Sequence, residues 1–494
     1  SWIEETAAGY GTELEIGDLH WGLLPPGLRL SQVSFRGAGV DAEIDSLQID
    51  FGKLWLTQRT VELGRVAAKG VWLSLTGLPQ TSGGGQAQYK VRVRNLSLED
   101  VEFEGFDFPG KIALDLEGVR SSWSTQDDEA RGFAEVARAR LEIGRMESVD
   151  FSLLSRFVLG DTGVEFSNYR LESSGFDLQG RGRIAGGGAR FQIGGPVDIG
   201  WLDGFIRTRG LLDGAANVAA VIDTRGPALV EAEVNASHIA VSGFQLDNLE
   251  GRLALVDGSL RGTLTRADLF GGTVRGRYEL ADFGGRYPHT AHLEGEGLSL
   301  QTFLDNLRIE SAGLAADIDL VADGRWNGRS FPAGNGNADL MFRGSSIGVP
   351  VSGAVDVALT GEGFLLLDAG NLAIGQSNAR WQGALTLGTW RPSWSIAADP
   401  AVFSEIGPMV NAWVGSTVLP DGLAGTGALQ VDLSGPFSEL TVNARVDAEP
   451  LILDPIRFDR LVADTMIGGS MLRIGSARFQ IADGFGEVEG GMTW

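Results

Sequence analysis

From about residue 12 onward, apolar side chains recur at every second position, and charged or small polar residues fill the places between them. A period of two is that of a β-strand with one dry face. Val91, Val93, Leu96, Leu98, Val101 and Phe103 carry it most clearly, interleaved with Arg92, Arg94, Ser97, Glu99, Glu102 and Glu104. The phase slips at Asn95 and again at Glu99-Asp100, where a turn or a bulge resets it. Ile112, Leu114 and Leu116 continue the rule, and similar runs recur throughout the chain. This pattern predicts about 35 strands of roughly 4 to 8 residues. Alternation confined to one face predicts antiparallel pairing, because a parallel sheet covered on both faces reads as continuous apolar runs.

Few segments have helical spacing. Residues 2–10, 201–208, 301–309 and 403–414 do, the last with Ile406, Val410 and Trp413 on one side. The last three helices introduce a repeat: each is followed by Gly-Leu (Gly210-Leu211, Gly313-Leu314, Gly422-Leu423) and then a train of strands. Leu280, Leu387 and Trp494 mark its period, each 107 residues from the next. Units stacking through open strand edges build a body that grows in one dimension. About 35 strands in one sheet would extend roughly 170 Å, whereas a compact globule of this length has a radius of gyration near ~23 Å. The expected fold is therefore mainly β: an elongated, repetitive antiparallel sheet curled into a groove, with a few short helices.

Composition agrees with a turn-rich β protein. The 494 residues include 72 glycines, about twice the usual share of roughly 7%, but only 16 prolines. A net charge of −24 repels phosphate backbones, so nucleic acid is not an expected partner. The absence of cysteine removes disulfides, thiolate metal sites and thiol nucleophiles. The longest apolar runs, such as Ala219-Ala220-Val221-Ile222, fall far short of the ~18 to 20 residues that span a bilayer. The chain starts without methionine and stops inside a strand pattern, so a longer parent with a signal or anchor is expected.

Reactive constellations are sparse. Gly344-Ser345-Ser346-Ile347-Gly348 fits G-x-S-x-G in letters, but a nucleophile elbow needs a strand-to-helix turn, and a glycine-rich turn is expected instead. His289 and His292 have the spacing of two ligands on a helix, yet the surroundings read as strand, so loop or surface histidines are expected. Gly180-x-Gly182 and Gly186-Gly187-Gly188 read as turns. Neither catalysis nor a metal or cofactor is expected.

Several segments resemble the AsmA/TamB superfamily. They include residues 11–19, Gly27-Leu28-Arg29-Leu30-Ser31-Gln32-Val33, residues 42–50, Leu63-Gly64-Arg65-Val66 and Gly70-Val71-Trp72-Leu73-Ser74-Leu75. Phe270-Gly271-Gly272-Thr273-Val274-Arg275-Gly276 is similar to a phrase that recurs in that family. The resemblance implies a periplasmic bridge of a Gram-negative bacterium, anchored in the inner membrane by an N-terminal helix missing from this sequence. Such a bridge carries phospholipid acyl chains toward the outer membrane, and in TamB itself it pairs with an outer-membrane barrel. No segment clearly matches TamB's C-terminal domain, which leaves that partner open.

With the resemblance, residues 1–130 form an AsmA-like N-terminal region with a juxtamembrane helix. Residues 131–310, 311–400 and 401–494 form three groove repeats, the last truncated. The expected lining is Val91, Val93, Leu96, Leu98, Val101, Phe103, Ile112, Leu114 and Leu116. Periodicity alone favours closure of this dry face into a sandwich core; the resemblance favours an open groove. A scaffold that offers strand edges to outer-membrane proteins is the alternative function.

Overall fold

The computed structural model describes residues 13–493 apart from short connections, chiefly 56–59, 76–89, 105–111, 144–147, 202–211, 282–287, 329–332 and 415–418. The expected helix at residues 2–10, most of that at 201–208, and Gly210-Leu211 lie outside the described residues. The chain forms two compact units. The first comprises residues 1–243 and 253–257, the second residues 244–252 and 258–494.

The first unit holds β1 (Glu13–Leu23), β2 (Pro26–Gly37), β3 (Val40–Trp55), β4 (Thr60–Leu75), β5 (Lys90–Glu104), β6 (Ile112–Gln126) and β7 (Glu129–Ile143). It continues through β8 (Val149–Gly160), β9 (Gly163–Ser173), β10 (Phe176–Ala185), β11 (Gly188–Asp198), β12 (Leu212–Asp223) and β13 (Ala228–Val241). Strand β14 (Phe244–Val256) is divided between the units.

The second unit proceeds through β15 (Ser259–Leu269), β16 (Gly272–Leu280), β17 (Pro288–Ser299), helix α1 (Leu300–Asn306), β18 (Leu314–Asn327) and β19 (Asn335–Gly344). Next come β20 (Val349–Leu359), β21 (Phe364–Ile374), β22 (Ser377–Thr386), β23 (Arg391–Val402), helix α2 (Phe403–Val414) and β24 (Ala424–Ser434). It closes with β25 (Thr441–Leu453), β26 (Ile456–Phe458), β27 (Arg460–Gly468), β28 (Met471–Ile481) and β29 (Gly484–Thr493).

The mainly-β, repetitive architecture expected from the alternation is present. Its 29 described strands are fewer and longer than expected, most of them 9 to 16 residues. Neither phase slip in β5 ends the strand, and the one at Glu99-Asp100 is a bulge within it. In β5 the pairing with β6 shifts between Leu98 and Val101, and Asp100 takes φ +59°. A bulge keeps the strand going while returning apolar residues to the same face and bending the ribbon. Equivalent shifts occur at Val136/Ala139, Leu264/Ala267, Ala398/Ala401 and Ile474/Ala477. At each, the alanine after the shift is almost fully buried: Ala139 at 1%, Ala267 and Ala401 at 0%, Ala477 at 4% exposed. The bent backbone leaves room there for a methyl group and little more.

Antiparallel pairing of sequence neighbours is the rule, as the hydrogen-bond registers show, but it is not universal. β4 and β5 pair in parallel along their length, from Thr60 opposite Lys90 to Ser74 opposite Glu104. β18 and β20 add a two-residue parallel contact of Leu314-Ala315 with Val349-Pro350.

The helices recur where the repeat places them, each directly after a strand. Residues 199–201 begin a helical turn after β11, with the Asp198 carboxylate accepting from the Gly200 N–H at 2.8 Å. Ser299 caps α1 by accepting from the Thr302 N–H at 3.2 Å. Both side chains satisfy N–H groups that a helix start leaves unpaired. Gly313 and Gly422 then turn the chain into the next strands at φ +79° and +88°, a region that favours glycine.

The core of the second unit gathers at these helices. Phe303 on α1 meets Phe270 edge-on at 5.4 Å, and Met409 on α2 joins buried Val351, Val355 and Leu372. Phe403, the first residue of α2, packs with Ala401, Leu423, Ala448 and Leu451. Glu405 holds the helix to the β21–β22 turn by accepting from the Gln376 N–H and the Ser377 hydroxyl. Of the expected apolar side of α2, Ile406 is half-buried; the side chains of Val410 and Trp413 lie outside the described residues.

Candidate functional site

The predicted lining residues sit on one face of β5 and β6. Val93, Leu96, Leu98, Val101, Phe103, Leu114 and Leu116 are all half-buried and none is sealed. The side chains of Val91 and Ile112 lie outside the described residues. The registers bring the rest together: Phe103 stands opposite Leu73 and Leu116, and Val101 opposite Val71 and Val119.

Leu96 belongs to a much longer line. It faces Val66 on β4 and Trp123 on β6. From Val66 the line runs through Ile49 and Leu28 to Trp21 on β1. From Trp123 it passes through Gly132, Phe157 and Phe166 to Gly182, then through Phe191 and Ile222 to Val230 on β13. Thirteen strands thus contribute one apolar or glycine residue each, over about 58 Å at ~4.8 Å per strand. No member is ionisable. Only Phe157, at 9% exposed, approaches the burial of a closed core, and Trp21 is 62% exposed.

The glycines in this line seat rings. A Cβ on Gly132 would lie 2.6 Å from Trp123 Cβ and 2.9 Å from the Phe157 ring, and those two rings meet edge-on at 5.9 Å across it. Phe166 and Phe191 approach to 5.8 Å across Gly182, with their planes tilted by 41°. Rings lying over a cross-strand glycine keep the apolar surface unbroken where a side chain is missing.

Sequence reasoning missed these members. Gly180-x-Gly182, expected as a turn, lies inside β10, and nothing in their own segments marks Trp21, Trp123 or Gly132 as members of one row. The signal available was the shared phase of each strand; the pairing that aligns them is not local information.

The second unit has a row of its own. Leu264 leads through Gly276, Leu293, Ala322 and Ala338 to Val357. It continues through Leu367, Gly383 and Trp394 to Leu433, and ends by way of Val442, Ile467 and Leu472 at Met492. All fourteen are uncharged; thirteen are half-buried and Met492 is exposed.

Charge is carried by the opposite face. Asp150 accepts from Arg138 at 2.7 Å and Arg140 at 3.0 Å, and those hydrogen bonds hold its carboxyl below the usual range. Arg170 and Asp177 form a two-bond pair at 2.7 Å. These exposed pairs contribute little stability, but they keep the outer face wet. On the inner face Tyr169 is buried, which pushes its hydroxyl up to about 12, and it donates to the Gln192 carbonyl at 3.1 Å.

The two histidines of the His289-x-x-His292 pair lie on opposite faces of β17, so they cannot share a ligand. His289 is on the inner face, stacked on Trp326 at 4.9 Å, with its Nδ1 at 2.7 Å from the Tyr278 hydroxyl. Burial lowers its pKa. His292 is on the outer face, 3.1 Å from Glu294 and 2.9 Å from Asp323, whose hydrogen bonds raise its pKa.

An NMR titration of the imidazole protons should therefore find His292 above and His289 below the ordinary value of about 6.5. Protonation of His292 is favoured by folding, so its contribution is complete below the unfolded value and fades as pH rises through the folded one. Asp323→Asn should move the His292 midpoint down, and an unmoved midpoint would contradict the assignment.

The G-x-S-x-G letters form the turn joining β19 to β20. Ser345 Oγ accepts from the Ile347 N–H at 3.3 Å and Gly348 has φ +95°, with no helix following. Among the described residues, no helix is long and apolar enough to cross a membrane.

Comparison with family profiles, characterised proteins and solved structures found no match to this chain.

Proposed function

We propose that each unit shelters lipid acyl chains on its apolar face, and that the protein conducts phospholipid between membranes as the AsmA/TamB resemblance implies. One observation carries this reading. Both units present a row of more than a dozen uncharged residues that is aligned by strand register and, apart from Phe157, at most half-buried, where a closed core would seal them.

An acyl chain in water costs about 0.8 kcal/mol per CH₂, roughly 12 kcal/mol for sixteen carbons. A row of apolar side chains about 58 Å long can replace that water along the whole chain. Aliphatic and aromatic contacts impose little selectivity on the tail, while the charged outer face stays solvated. No reacting group is needed. The site on this proposal is a surface, with Leu96, Trp123, Phe157 and Phe191 among its contacts.

Purification without detergent followed by lipid extraction and mass spectrometry tests the proposal. Phospholipid at one or more molecules per chain is the expected result. Lipid-free protein that instead binds strand-forming peptides from outer-membrane proteins would favour the scaffold reading. The periplasmic setting and an inner-membrane anchor belong to the same proposal and are tested by fractionating cells that express the protein.

A further inference from the structure

A depression of about 330 Å³ lies across β4 to β7 of the first unit, lined by Arg65, Asn95, Ser97, Ser122, Ser124, Arg131 and Phe133, with Leu96, Trp123 and Gly132 of the apolar row between them. The registers explain its shape. Asn95 stands between Arg65 and Ser124, Ser124 faces Arg131, and Ser122 faces Phe133. Short serine side chains form the floor and long ones the rim. Arg65 and Arg131 are three strands apart on one cross-strand row, about 14 Å between backbones at ~4.8 Å per strand. Both guanidinium groups can reach over the serines.

The chemistry of these groups is specific. A guanidinium offers paired N–H donors that match two oxygens of a phosphate. Among the described residues Arg65 has no carboxylate partner, and Arg131 has one, Glu129 at 3.1 Å, in a well-exposed pair that can exchange. Asn95 already donates its amide to the Gly64 carbonyl at 3.2 Å, which leaves its side-chain oxygen to accept from a hydroxyl. Ser122 and Ser124 can donate or accept. Phe133, 42% exposed among polar neighbours, supplies one apolar wall. With a net charge of −24 the chain repels anions in general, so an anion held here depends on this local pair of cations.

We propose that this depression binds a phosphate ester of a sugar or other polyol, with Arg65 and Arg131 on the phosphate and the serines and Asn95 on the hydroxyls. Its polar side chains alternate along each strand with the apolar row, whose Leu96, Trp123 and Gly132 complete the lining. Its ligand could be a free sugar phosphate or the phosphate–polyol head of a lipid, and one experiment distinguishes them.

Calorimetry of the full chain with glucose 1-phosphate is compared with its binding to phosphatidylcholine vesicles with and without phosphatidylglycerol. Binding to either ligand should weaken about tenfold or more in Arg65→Ala and in Arg131→Ala, as expected for loss of a charge-assisted hydrogen bond. It should tighten severalfold in Glu129→Gln, which frees Arg131. Ser124→Leu should block the floor with both arginines in place, and circular dichroism confirms that each variant folds. Binding confined to phosphatidylglycerol vesicles supports the site with a lipid head as its source. The proposal is overturned by no binding to either ligand, by binding indifferent to the arginines, or by inorganic phosphate binding as tightly as glucose 1-phosphate.

Discussion

Replacing Leu96, Leu98 and Phe103 together by aspartate is expected to cut the phospholipid recovered with the protein at least tenfold. Each wild-type side chain offers an acyl chain roughly 1.5–3 kcal/mol of apolar burial when fully covered. A carboxylate in its place must lose water when a tail passes, which costs further. Tenfold corresponds to about 1.4 kcal/mol, less than a single one of these losses. The fold should survive, because none of the three positions is sealed and carboxylates there can stay hydrated in the lipid-free chain. Leu154→Asp is the matched control: Leu154 is 53% exposed on the outer face of β8, and its replacement should leave bound lipid unchanged. Equal lipid in the triple variant and the control would remove the apolar face from the proposal.

The largest single loss of stability is expected from Phe403→Ala. The ring is 4% exposed and stands where β23 becomes α2, surrounded by Ala401, Leu423, Ala448 and Leu451. Two of those neighbours are alanines at 0% exposed, whose methyl groups cannot move in to fill the space left behind. Deleting a buried phenylalanine costs about 3–5 kcal/mol when the site cannot collapse. Amide exchange in α2 and the start of β24 should accelerate by two orders of magnitude or more. Phe403→Leu, which keeps most of the volume, should lose roughly half as much. Glu405 would still tie the helix to the β21–β22 turn, so the helix loosens without leaving. Unchanged protection in α2 would show that the cluster does not hold it.

These predictions draw on two kinds of information. Alternation is a local property with a strict period, so the chain alone determined that it forms strands and which side of each is dry; the histidines of His289-x-x-His292, expected in a loop or at the surface, instead lie in β17, where His289 is half-buried against Trp326. Helix α2 lies at 403–414 as its apolar spacing indicates, and Ser299 and Gly313 mark where α1 starts and where the chain turns into β18. Strand ends were less legible, because a bulge at Asp100 and a turn leave the same slip in phase; only the partner strand distinguishes them.

Tertiary structure alone decided the rest. The parallel pairing of β4 with β5 depends on where the chain returns after β4, which alternation does not encode. The alignment of Trp21, Leu96, Trp123 and Phe157 into one row comes from hydrogen bonds between strands whose paired residues lie from 7 (Trp21 and Leu28) to 30 (Val66 and Leu96) positions apart. Burial is likewise non-local: an apolar face reads the same in sequence whether another layer seals it or leaves it half-open, because the water it loses is displaced by residues elsewhere in the chain.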